Sequence, residues 1–327
     1  MIPVYFFVLF FLSIYSYSQI DLNLTLLQTP WFLNFKEVMV SLGYFSRQLS
    51  TLIFTLLLIL LFVGYWKLKD YCRPAGRGNW KLVIGAIGLL SLLSYPFLSH
   101  DFFNYMFDAR IVTSYHLNPY FFKALDFPSD TWIRFMQWTH RTYPYGPVWL
   151  AITLVPSAFG FGKFILTLLN FKLLFIGAYT LCCYVINKLK PNNLALFALN
   201  PLVIIEGLYS PHLDLIMLAL ALFALLKFKW LNIFLSVGTK FSTLTLLPVL
   251  FFQKKTWFLD GLITASYVGV LIQILNRELL PHYFLVPFGF TALSGKKWWI
   301  YLMVILSALL LIVRYLPFLY TGQWFSL

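Results

Sequence analysis

A carboxylate, an imidazole and a second carboxylate fall within nine residues of an otherwise apolar segment, NPLVIIEGLYSPHLDL (200–215), as Glu206, His212 and Asp214. Such groups can accept a proton, orient a hydroxyl or, as oxygen ligands, hold a divalent cation. A second cluster is SHDFFNYMFDARI (99–111), where Asp101, Tyr105 and Asp108 recur at spacings of four and three and so share one helix face. Ser99 and Asp101 would also serve as ordinary helix N-caps, so position alone does not separate a structural carboxylate from a reacting one. Lys240 stands within the apolar run LNIFLSVGTKFSTLTLLPVLFF, and Arg277 and His282 lie close together in NRELLPHY. Cations so placed pair with a carboxylate, anchor a segment at an interface, or bind an anion such as a phosphate.

The elements that must position these groups are membrane helices. Of 327 residues, 61% are hydrophobic and 11% charged, against about 25% charged in soluble domains. The expected fold class is all-α: a polytopic transmembrane helical protein, with 1–327 forming a single membrane domain. The net charge is +13, yet the basic residues sit in short clusters between apolar runs and no nucleic-acid module is present. Topology signals and contact with anionic membrane lipids account for them. Cys72, Cys182 and Cys183 offer no spaced pair for a metal or a disulfide framework. The first apolar run, IPVYFFVLFFLSIY, lacks a basic leader and a small-residue cleavage site, and reads as a retained span.

Five basic clusters, at 67–81, 187–190, 227–229, 253–255 and 295–297, hold 13 of the 24 Lys and Arg with one acid, Asp70. Placing all five in the cytoplasm orders the chain. Spans are expected at about 3–18, 49–66 and 82–98, with an amphipathic stretch at WFLNFKEVMVSLGYF and a charge-balanced outer loop at 99–145. Asp101, Tyr105 and Asp108 would then lie on an interfacial helix along the membrane surface. One full span, 164–186, follows a partial helix starting at Gly146; runs 194–209 and 213–226 form a hairpin with Glu206, His212 and Asp214 at its outer tip. Between 229 and 253 there is too little chain for two spans, so a pair of short helices meeting at Gly238-Thr239-Lys240 is expected. Spans at 257–275, 280–294 and 298–316 complete roughly 9–11 membrane helices, short and broken ones included.

The ordered set SHDFFNYMFDARI, LNPY, YPYGPVW, NPLVIIEGLYSPHLD and GTKFSTLTLLP resembles the GT-C superfamily of membrane glycosyltransferases, more narrowly its bacterial mannosyltransferase-like members that use polyprenyl-phosphate sugars. The likeness covers a core module at about 80–252; the first two spans and 257–327 match only as generic membrane helices. The resemblance implies an inverting transfer of a hexose, mannose by the same likeness, from a polyprenyl-phosphate donor to a glycan or lipid-linked acceptor at the outer face of the cell membrane. It makes Asp101 the catalytic base. It matches Tyr145, His212, Asp214 and Lys240 to elements near the active site; read with their own chemistry, His100, Tyr105, Asp108, Tyr145, Glu206, His212 and Asp214 are candidates to contact the sugars, and Lys240, Arg277 and His282 candidates to hold the donor phosphate. The sequence departs from the superfamily pattern at His212-Leu213-Asp214, where Asn is frequent at the middle position. No cofactor is expected, because a sugar on polyprenyl phosphate already carries a good leaving group; a divalent metal held by the acids is the alternative. A lipid-linked glycan transporter or flippase, and a glycan polymerase or ligase, are the other readings.

Overall fold

The computed structural model describes residues 2–24, 26–69 and 79–324. Cys72, Asp70 and most of the basic cluster at 67–81 lie outside the described residues. The chain is all helix and turn: α1 Ile2–Tyr15, α2 Pro30–Val40, α3 Arg47–Leu68, α4 Trp80–Leu92, α5 Asp101–Thr113, α6 Pro147–Ala158, α7 Phe164–Leu189, α8 Leu194–Ala198, α9 Pro201–Ile204, α10 Asp214–Phe223, α11 Lys229–Thr239, α12 Leu247–Leu250, α13 Phe258–Asn276, α14 Leu285–Thr291 and α15 Lys297–Thr321. Among the described residues, five segments are long and apolar enough to cross a membrane: Ile2–Gln19, Arg47–Leu68, Phe164–Leu189, Phe258–Leu275 and Lys297–Thr321. A sixth candidate is the pair Pro201–Tyr209 and Asp214–Phe223, which bends by 111°, and shorter apolar helices lie at Trp80–Leu92, Pro147–Ala158 and Phe241–Leu250.

Breaks at membrane depth persist only where the freed backbone groups find partners. The chain between α8 and α9 shows how. Pro201 cannot continue α8, and Asn200 caps α9 by accepting from Leu202 N and Val203 N. Carbonyls that lose their helical donors are met by three tyrosines from other spans: Tyr65 donates to Leu196 O at 2.9 Å, Tyr179 to Ala198 O at 2.6 Å and Tyr5 to Leu199 O at 2.8 Å. Each such bond is worth about 1 kcal/mol net, but leaving a buried carbonyl unmet costs more than that. A similar device ends α4. Lys172 on α7 is buried, and its ammonium donates to the Ser91 carbonyl at 2.8 Å, the Ser94 carbonyl and the Ser94 hydroxyl. A cation on the last carbonyls suits the negative end of a helix. This is one reason the expected span at 82–98 stops at Leu92.

One expectation is sharpened and one corrected. The helix carrying Asp101, Tyr105 and Asp108 is covered by protein: Phe102 to Ala109 of α5 are all buried against α6, α7 and the turn Thr131–Phe135. Asp101, at its start, stays partly exposed. The stretch 280–294 is not a span. It forms a 3₁₀ turn at Pro281–Phe284 and the short α14, which ends at Thr291. That length is far below the ~20 residues a crossing needs.

The long loop between α5 and α6 is held by a buried acid. Asp130 accepts from Arg110 Nε at 2.6 Å, Tyr115 at 2.7 Å and Trp132 N at 2.9 Å. Burial alone would raise its pKa, but these donors outweigh burial and hold it below the usual carboxylate range. The loop is therefore a packed lid beside α5, and it delivers Trp138 and Arg141 to the site described next.

Candidate active site

Two helix N-termini converge on one cleft. Asp101 is the first residue of α5 and Asp214 the first of α10, positions where unpaired backbone N–H groups favour negative charge. Asp101 does not act as a cap; its Oδ1 accepts from Trp138 Nε1 at 3.1 Å. Asp214 receives Lys240, whose Nζ lies 2.8 Å from Oδ1 and 3.1 Å from Oδ2. Lys240 reaches this point because α11 stops at Thr239 and the backbone at Lys240 turns extended before a 3₁₀ stretch, Phe241–Leu246. Its ammonium also sits 4.4 Å from the centre of the Tyr283 ring.

The break is fixed by the YGP segment. Gly146 N donates to Thr239 O at 3.1 Å, and a Cβ on Gly146 would stand 1.9 Å from Gly238 O. Only glycine permits this backbone approach. The two motifs read separately in the sequence, YGP and GTK, are thus one docking contact, with Pro147 starting α6 just beyond it.

Between the carboxylates lie two imidazoles. His212 and His282 are stacked face to face, ring centres 3.9 Å apart and planes 9° from parallel. Glu206 stands behind them. It is fully buried, its Oε1 accepts from Tyr315 at 2.6 Å, and its Oε2 lies 3.3 Å from His212 Nδ1 and 4.0 Å from His282 Nδ1. His282 lies in the turn outside the spans; burial first, and then the neighbouring His212, Lys240, Arg314 and Arg277, push its pKa well below that of a free imidazole.

The cleft, of about 480 Å³, brings together eight of the residues singled out in the sequence: Asp101, Tyr105, Tyr145, His212, Asp214, Lys240, Arg277 and His282. Three others stay out of its wall. His100 packs its ring against Phe103, Asp108 is buried deeper in α5, and Glu206 reaches the cleft only through the imidazoles. His282 lies among Glu206, Asp214 and His212, set back from the pair Lys240 and Arg277. The sequence reading missed Trp138, Arg141, Arg314, Tyr315 and Trp324, which line the same cleft. Arg314 carried a usable signal, an ionisable residue inside an apolar span; a tyrosine or tryptophan in this chain carries none.

A second hollow adjoins the first. An apolar groove of about 530 Å³ runs past Phe241, Leu244, Gly269 and Ile272, and it shares Tyr145, Lys240 and Arg277 with the polar cleft. Where the greasy and polar spaces meet, two cations stand.

For a metal, Asp101, His212 and His282 are a group among the described residues whose ligand atoms lie within 4.8 Å of one another. One ion at about 2.0–2.1 Å from both imidazoles needs lone pairs that converge. Near-parallel stacked rings direct them side by side, so binding there would require the rings to tilt apart.

An all-helical membrane protein that gathers carboxylates, imidazoles and two cations in one cleft has groups suited to glycosyl transfer. Among known families, residues 25–252 match the model of the MptA_B family, described as alpha-(1->6)-mannopyranosyltransferase, N-terminal domain, and the chain belongs to that family of mannosyltransferases. No curated protein and no solved structure matches it. The matched segment carries Asp101, Tyr145, His212, Asp214 and Lys240, whereas Arg277, His282, Arg314 and Tyr315 complete the cleft from beyond it.

Proposed function

We propose that the protein transfers mannose, with inversion, from a polyprenyl-phosphate donor to a hydroxyl of a glycan or lipid-linked acceptor, at the outer face of the cell membrane. The observation that carries this reading is the placement of Lys240 and Arg277 where the apolar groove opens into the polar cleft. A prenyl chain belongs in the groove, its phosphate at the two cations, and its sugar in the cleft beside Asp101. The Asp101 carboxylate takes the proton of the acceptor hydroxyl as that oxygen bonds to the anomeric carbon. The bond from the anomeric carbon to the phosphate oxygen breaks, and its electron pair leaves with the phosphate, whose growing charge faces Lys240 and Arg277.

Support for the outer face comes from α7. It starts beside the loop that holds the cleft, with Phe164 packed on Phe103 and Trp132. It is 26 residues long, with Lys188 in its last turn and Lys190 just beyond, a run of about 39 Å at 1.5 Å per residue. Lys190 lies near Gly295, so the basic clusters 187–190 and 295–297 meet at the end opposite the cleft.

Purified protein in liposomes, offered labelled mannose either on polyprenyl phosphate or on a nucleoside diphosphate, tests the donor. Transfer from the lipid-linked sugar alone is the expected result. Transfer from the nucleotide sugar, with none from the lipid, would overturn the reading.

A further inference from the structure

The wall formed by Asp101, His212, His282 and Asp214 presents acceptors and no donors of its own. Nδ1 of His212 lies 3.3 Å from the Glu206 carbonyl oxygen and 3.3 Å from Glu206 Oε2. A carbonyl oxygen only accepts, so Nδ1 carries the ring proton and Nε2 keeps its lone pair. Nδ1 of His282 faces the same Oε2 at 4.0 Å, and that buried oxygen makes no hydrogen bond of ordinary length among the described residues, so it stands as the acceptor toward which both Nδ1 atoms turn. Both imidazoles therefore turn Nε2 toward the carboxylates: His212 Nε2 stands 4.0 Å from Asp101 Oδ2, and His282 Nε2 stands 4.0 Å from Asp214 Oδ2. Four acceptor atoms follow one another at separations too long for hydrogen bonds between them. Lys240 satisfies Asp214 from the far side; among the described residues no group donates to either Nε2.

A ligand that fills this wall must bring hydrogen-bond donors in a row. Adjacent hydroxyls of a pyranose ring do so, each able to donate at about 2.7–2.8 Å. We propose that the stacked pair His212 and His282 reads vicinal hydroxyls of the donor sugar, with His282 Nε2 accepting from the hydroxyl on C2, and that Tyr315 and Glu206 are positioning residues that hold both rings in the required tautomer. The assignment to C2 follows from Lys240: its ammonium marks the phosphate on C1, and Asp214 with His282 is the next polar pair along the wall. This rests on the lipid-phosphate mannose donor proposed above.

A site built to accept from a hydroxyl rejects the analogue lacking it far more strongly than an apolar pocket does, because its polar atoms are left unpaired. The experiment compares kcat/KM for polyprenyl-phosphate mannose and its 2-deoxy analogue in three proteins. Wild type is expected to favour the parent by at least about 100-fold. His282→Ala is expected to lose activity on the parent but to discriminate by less than about tenfold, and Tyr315→Phe to lower the ratio without abolishing folding, as a merely structural tyrosine would not. Equal ratios in wild type and His282→Ala would overturn the assignment while leaving the donor class standing. No transfer by wild type from the parent would instead remove the donor class itself. A stoichiometric metal in purified wild type, lost in His282→Ala, would also overturn the inference, since the lone pairs would then belong to the ion.

Discussion

Lys240 places its ammonium within 2.8 and 3.1 Å of the two carboxylate oxygens of Asp214, across 26 residues of chain and a helix break. In a span of ordinary apolar helix either charge would be costly. Paired where the apolar groove meets the polar cleft, they hold an ammonium in place that, in the proposed mechanism, also faces the donor phosphate.

Removing the ammonium should therefore cost chemistry more than folding. Lys240→Met is expected to reduce transfer by about 10²–10³-fold, in the range seen when a donor to developing charge is deleted. Asp214→Asn is expected to cost less, and the double variant little more than Lys240→Met alone, because the pair acts as a unit. Steady-state kinetics of the four proteins check this; strictly additive losses would mean that the two side chains work apart.

Gly146 carries the second prediction. A methyl at this position meets Gly238 O at 1.9 Å, so Gly146→Ala must push the YGP segment off the Lys240 turn. Thermal unfolding in detergent should show a drop of several degrees, with transfer falling in parallel. Gly85→Ala is the matched control: its added carbon meets nothing within 4 Å, on a helix where alanine is the better residue. An unchanged Gly146→Ala would separate the two motifs.

Asp108 makes the stability of the protein depend on pH. Burial, with the nearby Asp101 adding and Arg141 opposing, pushes its carboxyl up to about 7 in the folded protein, against about 3.9 in an unfolded chain. The folded state thus holds the proton more tightly. Stability falls as pH rises from about 4 to about 7, and this contribution is flat above. Between pH 5 and pH 8 the wild type should lose a few degrees of Tm that Asp108→Asn does not lose. Identical pH profiles for the two proteins would show that Asp108 is not the group responsible.

Much of this arrangement was legible in the chain. The break at Lys240 followed from a run too short for two spans, whereas the expected run 194–209 is interrupted at Asn200-Pro201, where a proline ends one helix and starts the next. Asp101, His212, Asp214 and Lys240 stood out because an acid or base in apolar sequence is rare enough to carry information. What stayed hidden has a common cause: it depends on which distant face packs against which. The burial of α5 comes from α6 and α7 covering a face that looked ready for water. Tyr315 is one of 20 tyrosines, and nothing around it announces a bond to Glu206. The reading of 280–294 as a span failed because hydropathy counts apolar residues without weighing that Pro281, Pro287 and Gly289 keep the helices short.

The role of Asp101 is the centre of the account, and the transfer rate of Asp101→Asn from polyprenyl-phosphate mannose measures it most directly. The substitution keeps shape and the bond from Trp138 but cannot take a proton. With Tm unchanged and the donor KM within about threefold of wild type, kcat should fall by at least about 10³, within the span attributed to a general base. A kcat within about tenfold of wild type would contradict the assignment of Asp101 as the base, and with it the mechanism built on the cleft.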